Sequence, residues 1–309
     1  MPSASVAAII PVFNRPRAVV EALDSVLAQT LAPAKVVVVD DGSTDDTGAR
    51  VDEWIASKRP PFEARLIRQP NSGAAVARNR GVAEAPGCEL LAFLDSDDLW
   101  PTDYLRRVTD AFADAPDAVA ASVDRVNHDF ATGKVDPRSY AHYVRGLRNA
   151  TTIIFMDGPP GTPNTVVRAS AFDQAGGFDS RWLTGQDYDL LLRISLLGRW
   201  LHVPGTPVTT RNHLEVLTGS GEPPLSRKYD DRTFRRVQML DRFIFECGGK
   251  AIVPEELWRS HLSKLWFRAG RKLSALNRPD DARFCYRRTV ELRAWHLLAR
   301  ARLLLGGGT

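Results

Sequence analysis

Four consecutive valines at residues 36–39 constrain the fold of this chain more than any other feature, and Asp40 and Asp41 follow them directly. A strand that is apolar at every position has both faces buried, which is typical of a parallel sheet covered by helices on both sides. Similar apolar runs, separated by stretches with apolar residues at helical spacing, occupy residues 7–12, 64–67 and 90–94. This alternation predicts a doubly wound α/β sheet that binds ligands at the carboxyl ends of its strands.

Beyond residue 100 the sequence predicts one more strand, over residues 118–130, and then an irregular loop at residues 156–163, which read MDGPPGTP. A second loop, TGSGEPP at residues 218–224, is the best candidate for a domain boundary. After it the sequence predicts helices at residues 260–276, 280–292 and 294–305. We therefore expect a catalytic domain over residues 1–221 and a helical region over residues 222–309.

The two regions differ in charge. Residues 222–309 contain 19 Lys+Arg and 10 Asp+Glu, whereas the first 221 residues contain 22 and 27. A basic helical surface can contact anionic lipid or nucleic acid, and it can equally be an ordinary solvated face. No nucleic-acid motif accompanies it, so we predict no nucleic-acid partner. Peripheral membrane contact and a homodimer both stay open.

The cysteines indicate the compartment. Cys88, Cys247 and Cys285 are widely separated and form no CxxC pair, so we expect no disulfide framework and a reducing, cytoplasmic location. The apolar run at residues 6–10 is too short for a signal peptide or a membrane span.

Acidic clusters stand at three predicted element boundaries: DDGSTD at residues 40–45, DSDD at 95–98 and GQDYD at 185–189. Each has an ordinary structural explanation, because aspartate and serine close turns, cap helices and favour the first helical turn. In the second cluster, however, Asp95 and Asp97 lie two residues apart after a strand and can converge on one point. Such carboxylates suit Mg²⁺ or Mn²⁺, and their mutual repulsion favours a metal site over a solvated turn.

Taken together, six segments resemble glycosyltransferase family two, which has the GT-A fold. They are IIPVFNR at 9–15, VVDDGSTD at 38–45, NSGAAVARNRG at 71–81, FLDSDD at 93–98, GGFD at 176–179 and DYDL at 187–190. Their order and spacing cover roughly the first two-thirds of the chain. The resemblance implies an α/β, doubly wound mixed sheet of the nucleotide-diphospho-sugar transferase type, followed by a small C-terminal α-helical region.

The resemblance also implies a nucleotide-sugar pocket. Pro11, Phe13 and Asp41 would hold the nucleoside base, and Asp40 would lie beside that pocket. Arg78 would approach the diphosphate or support the donor site.

The remaining implied roles concern metal and catalysis. Asp95 and Asp97 resemble the family's DxD motif, with Asp97 as the direct ligand of Mn²⁺ or Mg²⁺. Asp187 falls where the family places its catalytic base. His213 would add a histidine to the metal or diphosphate, and an ordinary loop histidine is the alternative.

One position departs from the family pattern. The residue before the base is often acidic, and here it is Gln186, whose amide cannot take a proton. Asp189 is the nearby substitute. The departure leaves a catalytically impaired nucleotide-sugar-binding protein as the alternative function.

The function expected from these parts is inverting transfer of a sugar from a nucleoside diphosphate, with UDP as the first choice, to a hydroxyl of a saccharide or lipid-linked acceptor. This activity would serve the synthesis of cell-surface polysaccharide or glycoconjugate. A sugar nucleotidyltransferase and a nicotinamide dehydrogenase are both disfavoured, because no glycine-rich phosphate loop follows the first strand.

Overall fold

The computed structural model describes residues 4–143, 149–212 and 231–304. The chain forms two compact units. One comprises Met1–Ala150 and Pro159–Pro223, and the other comprises Thr151–Gly158 and Pro224–Thr309. The predicted boundary loop at 218–224 lies outside the described residues, so the division into 1–221 and 222–309 stays a prediction.

The first unit contains two sheets. Its strands are β1 (Val6–Val12), β2 (Lys35–Asp40), β3 (Glu63–Arg68), β4 (Leu90–Phe93), β5 (Ala118–Ser122), β6 (Arg125–Asp129), β7 (Val135–Arg138), β8 (Thr165–Arg168), β9 (Arg199–His202) and β10 (Val208–Asn212). The larger sheet has the order β3-β2-β1-β4-β8-β5-β9, and the smaller has the order β10-β6-β7. In the larger sheet β8 runs antiparallel to both neighbours and the other pairs are parallel. The predicted doubly wound, mixed α/β sheet is confirmed.

The described helices are α1 (Ala18–Leu27), α2 (Thr47–Lys58), α3 (Ala74–Ala83), α4 (Tyr104–Asp114), α5 (Ala150–Asp157), α6 (Ala169–Ala175), α7 (Gln186–Ser195), α8 (Arg232–Phe245), α9 (Glu255–Ala275), α10 (Pro279–Leu292) and α11 (Leu297–Leu304). None of these described helices is both long and apolar enough to cross a bilayer.

The core of the first unit explains why its central strands are so apolar. All seven residues of β1 are buried, and the valines of β2 are at most 1% exposed. On one face of the sheet these strands pack with Leu23 of α1, Trp54 of α2 and Tyr104 of α4. Each fully buried large aliphatic side chain contributes about 1.5–3 kcal/mol relative to its exposed state.

On the opposite face, α3 lies unusually close to β1. A Cβ atom added at Gly81 would lie 2.4 Å from Cγ2 of Ile9 and 3.3 Å from Cγ2 of Val39. A glycine is therefore required for this approach, and the approach fixes the position of Arg78, one turn earlier in α3.

Two local predictions are wrong. Residues 118–130 form two strands in separate sheets, because the chain turns at Asp124, whose carboxylate accepts hydrogen bonds from the backbone N–H of Tyr140 and from the ring of His202. The irregular loop begins at Gly158 rather than at Met156, since Met156 and Asp157 complete α5. No periodic pattern marks these breaks.

The second unit contains α5 and α8–α11. Its predicted helical hairpin is confirmed: α9 and α10 pack together, with 5.5 Å between the ring centroids of Trp266 and Phe284 and with Gly270 against the ring of Tyr286. The turn between them uses Asn277 in the left-handed region, with φ of 56°, and Pro279 at the start of α10. Both residues suit these positions, since asparagine tolerates that conformation and proline lacks only an N–H that is unpaired at a helix start.

Candidate active site

The candidate residues lie at one edge of the larger sheet. β2, β1 and β4 are adjacent and parallel, so the segments that follow them meet at the same edge. These segments begin at Asp41, at Phe13 and at Leu94. The edge therefore brings together the three motifs that the sequence predicts to act in one site.

The loops after β1 and β2 are joined by hydrogen bonds. The backbone N–H of Asn14 donates to Oγ of Ser43 at 2.9 Å, and Oδ1 of Asn14 accepts from the N–H of Thr44 at 2.8 Å. The N–H of Arg15 donates to Oγ1 of Thr47 at 2.8 Å. Asn14 has a φ of 50°, a conformation that asparagine tolerates better than most residues. These hydrogen bonds hold the loops after β1 and β2 together.

The carboxyl ends of β1 and β2 carry three predicted pocket residues, Pro11, Phe13 and Asp40. Pro11 is buried in β1, and Phe13 is half-buried just beyond the strand. Asp40 is buried at the end of β2, and its Oδ1 accepts the backbone N–H of Ser43 at 2.9 Å. The structure therefore places these three predicted pocket residues along neighbouring strand ends.

Asp41 fixes the loop that enters α3. Its Oδ1 accepts the side-chain amide of Gln69 at 2.8 Å and the backbone N–H of Ser72 at 2.9 Å, while Oδ2 accepts the N–H of Gly73 at 2.8 Å. Asp41 is 5% exposed. This carboxylate consequently joins the end of β2 to the loop at residues 69–73, a role that the sequence did not indicate.

Arg78 forms the first ion pair of the site. It is 8% exposed, and its Nη2 donates to Oδ1 of Asp95 at 2.6 Å. The guanidinium lies over the ring of Phe178, 5.4 Å from the centroid. Nε of Arg78 is buried and has no hydrogen-bond partner within the described residues. A buried cation that still has an unpaired N–H is suited to a further anionic group.

Arg15 forms the second ion pair. Its guanidinium donates to Oδ2 of Asp97. Burial raises the pKa of Asp97 above its ordinary value, Arg15 opposes the rise and the nearby Asp95 adds to it. Each carboxylate of the DxD motif therefore faces its own arginine. Arg15 belongs to a segment that carried the family resemblance, but no spacing in the sequence indicates its pairing with Asp97.

Asp98 attaches β10 to the acidic cluster. Its Oδ1 accepts the backbone N–H of Arg211 at 2.9 Å, and the guanidinium of Arg211 donates to the backbone oxygen of Asp97. Burial raises the pKa of Asp98 well above its ordinary value, and repulsion from Asp97 and Asp95 raises it further. Asp98 is therefore buried and links β10 to the cluster, whereas Asp95 and Asp97 are more exposed.

The acidic cluster fits a divalent cation that is shared with a ligand. No group of three or more metal-binding side chains occurs within residues 4–143, 149–212 and 231–304. Mg²⁺ usually takes only one or two carboxylates and completes its shell with water and substrate phosphates. Asp95 and Asp97 are half-buried oxygen donors with a cationic group already beside each of them. His213, the other predicted ligand, lies outside the described residues.

Asp187 joins the same cluster from α7. Gly185 precedes the helix with a φ of 77°, and Asp187 is half-buried in its first turn. Burial raises the pKa of Asp187, Arg78 lowers it and Asp95 raises it again. The structure therefore brings the predicted base within electrostatic range of the Arg78–Asp95 pair.

The residues on either side of Asp187 have structural contacts. The side-chain amide of Gln186 donates to the backbone oxygen of Trp182 at 2.7 Å. Asp189 is 3% exposed and accepts from Nε of Arg193 at 2.9 Å. This pairing makes Asp189 a poor substitute base.

Arg193 extends this contact to the glycine-rich turn before α7. Its Nη2 donates to the backbone oxygen of Gly177 at 2.9 Å. On the other side of the turn, Asn79 of α3 exchanges hydrogen bonds of 2.8 and 2.9 Å with the backbone of Phe178. The GGFD segment therefore connects α3, which carries Arg78, to α7, which carries Asp187.

These features place acidic and basic side chains together at the carboxyl ends of parallel strands, and a family comparison shows to which family such a chain belongs. Residues 7–174, more than half of the chain, match the family model described as Glycosyl transferase family 2. The chain belongs to glycosyl transferase family 2.

Similar proteins extend this finding. An Escherichia coli protein named Uncharacterized glycosyltransferase YibD is 35% identical over 117 residues, which are 38% of this chain and 33% of that protein. Matched stretches span about a third or less of the first curated relatives.

Solved structures show the GT-A fold. Mannosyltransferase PcManGT from Pyrobaculum calidifontis, in complex with GDP-Man and Mn²⁺, is 22% identical with a TM-score of 0.57, over 98% of this chain and 79% of that one. S. aureus TarS 1-349 in complex with UDP-GlcNAc is 17% identical with a TM-score of 0.56, over 98% and 92%.

The two aspartates of α7 should respond in opposite ways to removal of charge. Asp189→Asn is expected to lower the free energy of unfolding by about 3–5 kcal/mol, because Arg193 then stays buried without its counter-charge. Asp187→Asn is expected to keep or raise stability at neutral pH. The pKa of the Asp187 carboxyl is raised in the folded state, which therefore binds the proton more tightly than the unfolded state does. Above that pKa the ionised carboxylate lowers the free energy of unfolding, and this loss disappears as the pH falls.

Urea unfolding of both variants at neutral and acidic pH measures the difference. Equal losses for the two substitutions would contradict the assignment of Asp189 to structure and Asp187 to function.

Proposed function

We propose that this chain transfers a sugar from a nucleoside-diphosphate donor to an acceptor hydroxyl, with inversion at the anomeric carbon and with the help of Mn²⁺ or Mg²⁺. The observation that carries the proposal is the cluster of Arg78, Asp95 and Asp187 at the carboxyl ends of parallel strands. It combines a cation for the diphosphate, a carboxylate for a metal ion and a carboxylate with a raised pKa.

The donor class rests on family membership and on what similar proteins bind. One GT-A neighbour is in complex with GDP-Man and Mn²⁺, and another with UDP-GlcNAc. We propose UDP as the carrier. The base would lie against Pro11 and Phe13, beside Asp40 and Asp41. Arg78, whose Nε is unpaired, would meet the diphosphate.

Asp95 and Asp97 would hold the divalent cation together with the donor phosphates, with Asp97 as the direct ligand. When bound there, the cation supplies Lewis-acid stabilisation of the negative charge on the leaving phosphate. Arg15 would move from Asp97 toward the phosphates, since its guanidinium and the cation favour the same carboxylate.

Asp187 would act as the general base. The acceptor oxygen forms a bond to the anomeric carbon while the bond to the phosphate oxygen breaks, and the nucleoside diphosphate leaves with the electron pair. The acceptor proton passes to Asp187, whose raised pKa makes it a stronger base than an ordinary carboxylate. Because the transition state is oxocarbenium-like, no covalent protein nucleophile is required.

The alternative function, a nucleotide-sugar-binding protein without catalysis, rests on Gln186 alone. The amide of Gln186 contacts the backbone of Trp182, a local contact that requires no proton transfer. Asp187 supplies the carboxylate that such a protein would not need. We therefore favour the transferase, with a saccharide or lipid-linked acceptor in cytoplasmic synthesis of cell-surface polysaccharide or glycoconjugate.

Asp187→Asn should separate catalysis from donor binding. The amide keeps the shape of the side chain but cannot accept the acceptor proton, so turnover is expected to fall by about 10²–10⁴-fold while donor affinity changes only slightly. Single-turnover assays and calorimetry measure the two quantities. Asp173→Asn, at an exposed position of α6, is the matched control. If Asp187→Asn retained full turnover, the base would lie elsewhere.

Asp97→Ala should remove the metal-dependent part of donor binding. In the parent protein Mn²⁺ is expected to tighten nucleoside-diphosphate affinity at least about tenfold, because phosphates and carboxylates complete one coordination shell. Calorimetry with and without Mn²⁺ gives the ratio, and Asp117→Ala controls for loss of an exposed charge. Equal affinities with and without Mn²⁺ in the parent protein would remove the cation from the proposal.

A further inference from the structure

The most exposed large hydrophobic side chains of the described residues are concentrated in one short segment. They are Trp295 at 68%, Leu297 at 76%, Leu298 at 65% and Leu304 at 88% exposure. Within the described residues the next value is 55%, at Val135 in the other unit. Four such side chains within ten residues form an apolar patch of the kind that marks an interaction site.

The geometry of α11 turns this patch outward. With about 100° between successive residues, Leu297, Ala301 and Leu304 fall within roughly 60° on one side of the helix. Ala299 falls on the opposite side and is 0% exposed. The helix therefore packs through Ala299 and presents its leucine stripe to solvent.

Basic residues border the stripe. At the same helical spacing, exposed Arg300 lies about 40° from Leu304 at one side of the stripe, whereas half-buried Arg302 lies about 60° from Ala299. Arg293 precedes the helix and its guanidinium lies 4.8 Å from the ring centroid of Trp295. Residues 293–304 contain three arginines and no acidic residue. An apolar stripe with cationic borders and an adjacent tryptophan matches the chemistry of a bilayer interface, where acyl chains lie beneath anionic phosphates.

We propose that Trp295 and α11 form a peripheral docking surface for an anionic lipid bilayer. The leucines enter the boundary between headgroups and acyl chains, and the arginines meet lipid phosphates. A helix of eight residues is about 12 Å long, too short to cross the hydrocarbon core, so it lies along the interface.

A second copy of the chain fits this surface less well. An isologous contact would bring the same arginine-bordered stripe against itself and place like charges together. One short helix also buries much less than the roughly 1,200–2,000 Å² of a stable protein interface. Partition into lipid requires no such area, because each inserted side chain contributes its own favourable free energy of transfer.

Flotation of the full chain with lipid vesicles, without any sugar donor, tests the proposal independently of enzymatic activity. Vesicles with about 30% phosphatidylglycerol in phosphatidylcholine are expected to bind the chain at least about tenfold better than pure phosphatidylcholine. Raising salt from about 0.1 M to about 0.5 M should weaken binding several-fold.

The double substitution Leu297→Ser and Leu304→Ser should reduce partition at least about tenfold, because it removes the inserted stripe. Ile252→Ser is the matched control, since Ile252 is an exposed apolar residue of the same unit at 42%. It is expected to bind like the parent. Circular dichroism checks that both variants stay folded.

Three results would overturn the proposal. They are an absence of flotation under all conditions, flotation that the leucine substitutions leave unchanged, and a parent protein that sediments as a dimer and becomes monomeric in the leucine variant. The last result would assign the stripe to a second copy of the chain.

Discussion

The active-site edge depends on the pairing of arginines with carboxylates at the ends of parallel strands. Asp95 and Asp97 follow one strand, and burial together with repulsion from Asp95 raises the pKa of Asp97 above its ordinary value. Arg78 and Arg15 each neutralise one of them. Guanidinium groups do this without filling the site, since each has several donors and can turn toward an arriving phosphate. In the proposed function, these same guanidinium groups would meet the phosphates of an anionic donor.

Hydrogen bonds from polar side chains hold the surrounding loops in place. Asp41 accepts a hydrogen bond from the segment leading into α3, Asn14 accepts one from the loop after β2, and Asn79 accepts one from the turn before α7. All three use short polar side chains to satisfy backbone groups, which holds the backbone of these loops in place. A preorganised edge of this kind loses little free energy when it binds its substrate.

Periodicity predicted the sheet correctly because the valines of β2 must be buried on both faces. The acidic residues after those strands, together with the family resemblance, gave the candidate site, whose residue roles stay predictions. The break between β5 and β6 was missed, since it depends on contacts of Asp124 with residues distant in the sequence. The pairing of Arg15 with Asp97 spans 82 positions, and no local spacing reveals it. By contrast, Asp189 and Arg193 lie four positions apart in α7, a helical spacing at which opposite charges pair, and the sequence analysis did not use this spacing to separate Asp189 from Asp187.

The exchange of Arg15 for a divalent cation is the central claim, and electron paramagnetic resonance of Mn²⁺ bound without nucleotide tests it most directly. If Arg15 neutralises Asp97, Arg15→Gln should bind Mn²⁺ at least about tenfold more tightly than the parent, because a counter-charge a few ångströms away is gone. Arg17→Gln, an exposed neighbour, should change affinity little. Equal Mn²⁺ affinity in Arg15→Gln and the parent protein would contradict the account.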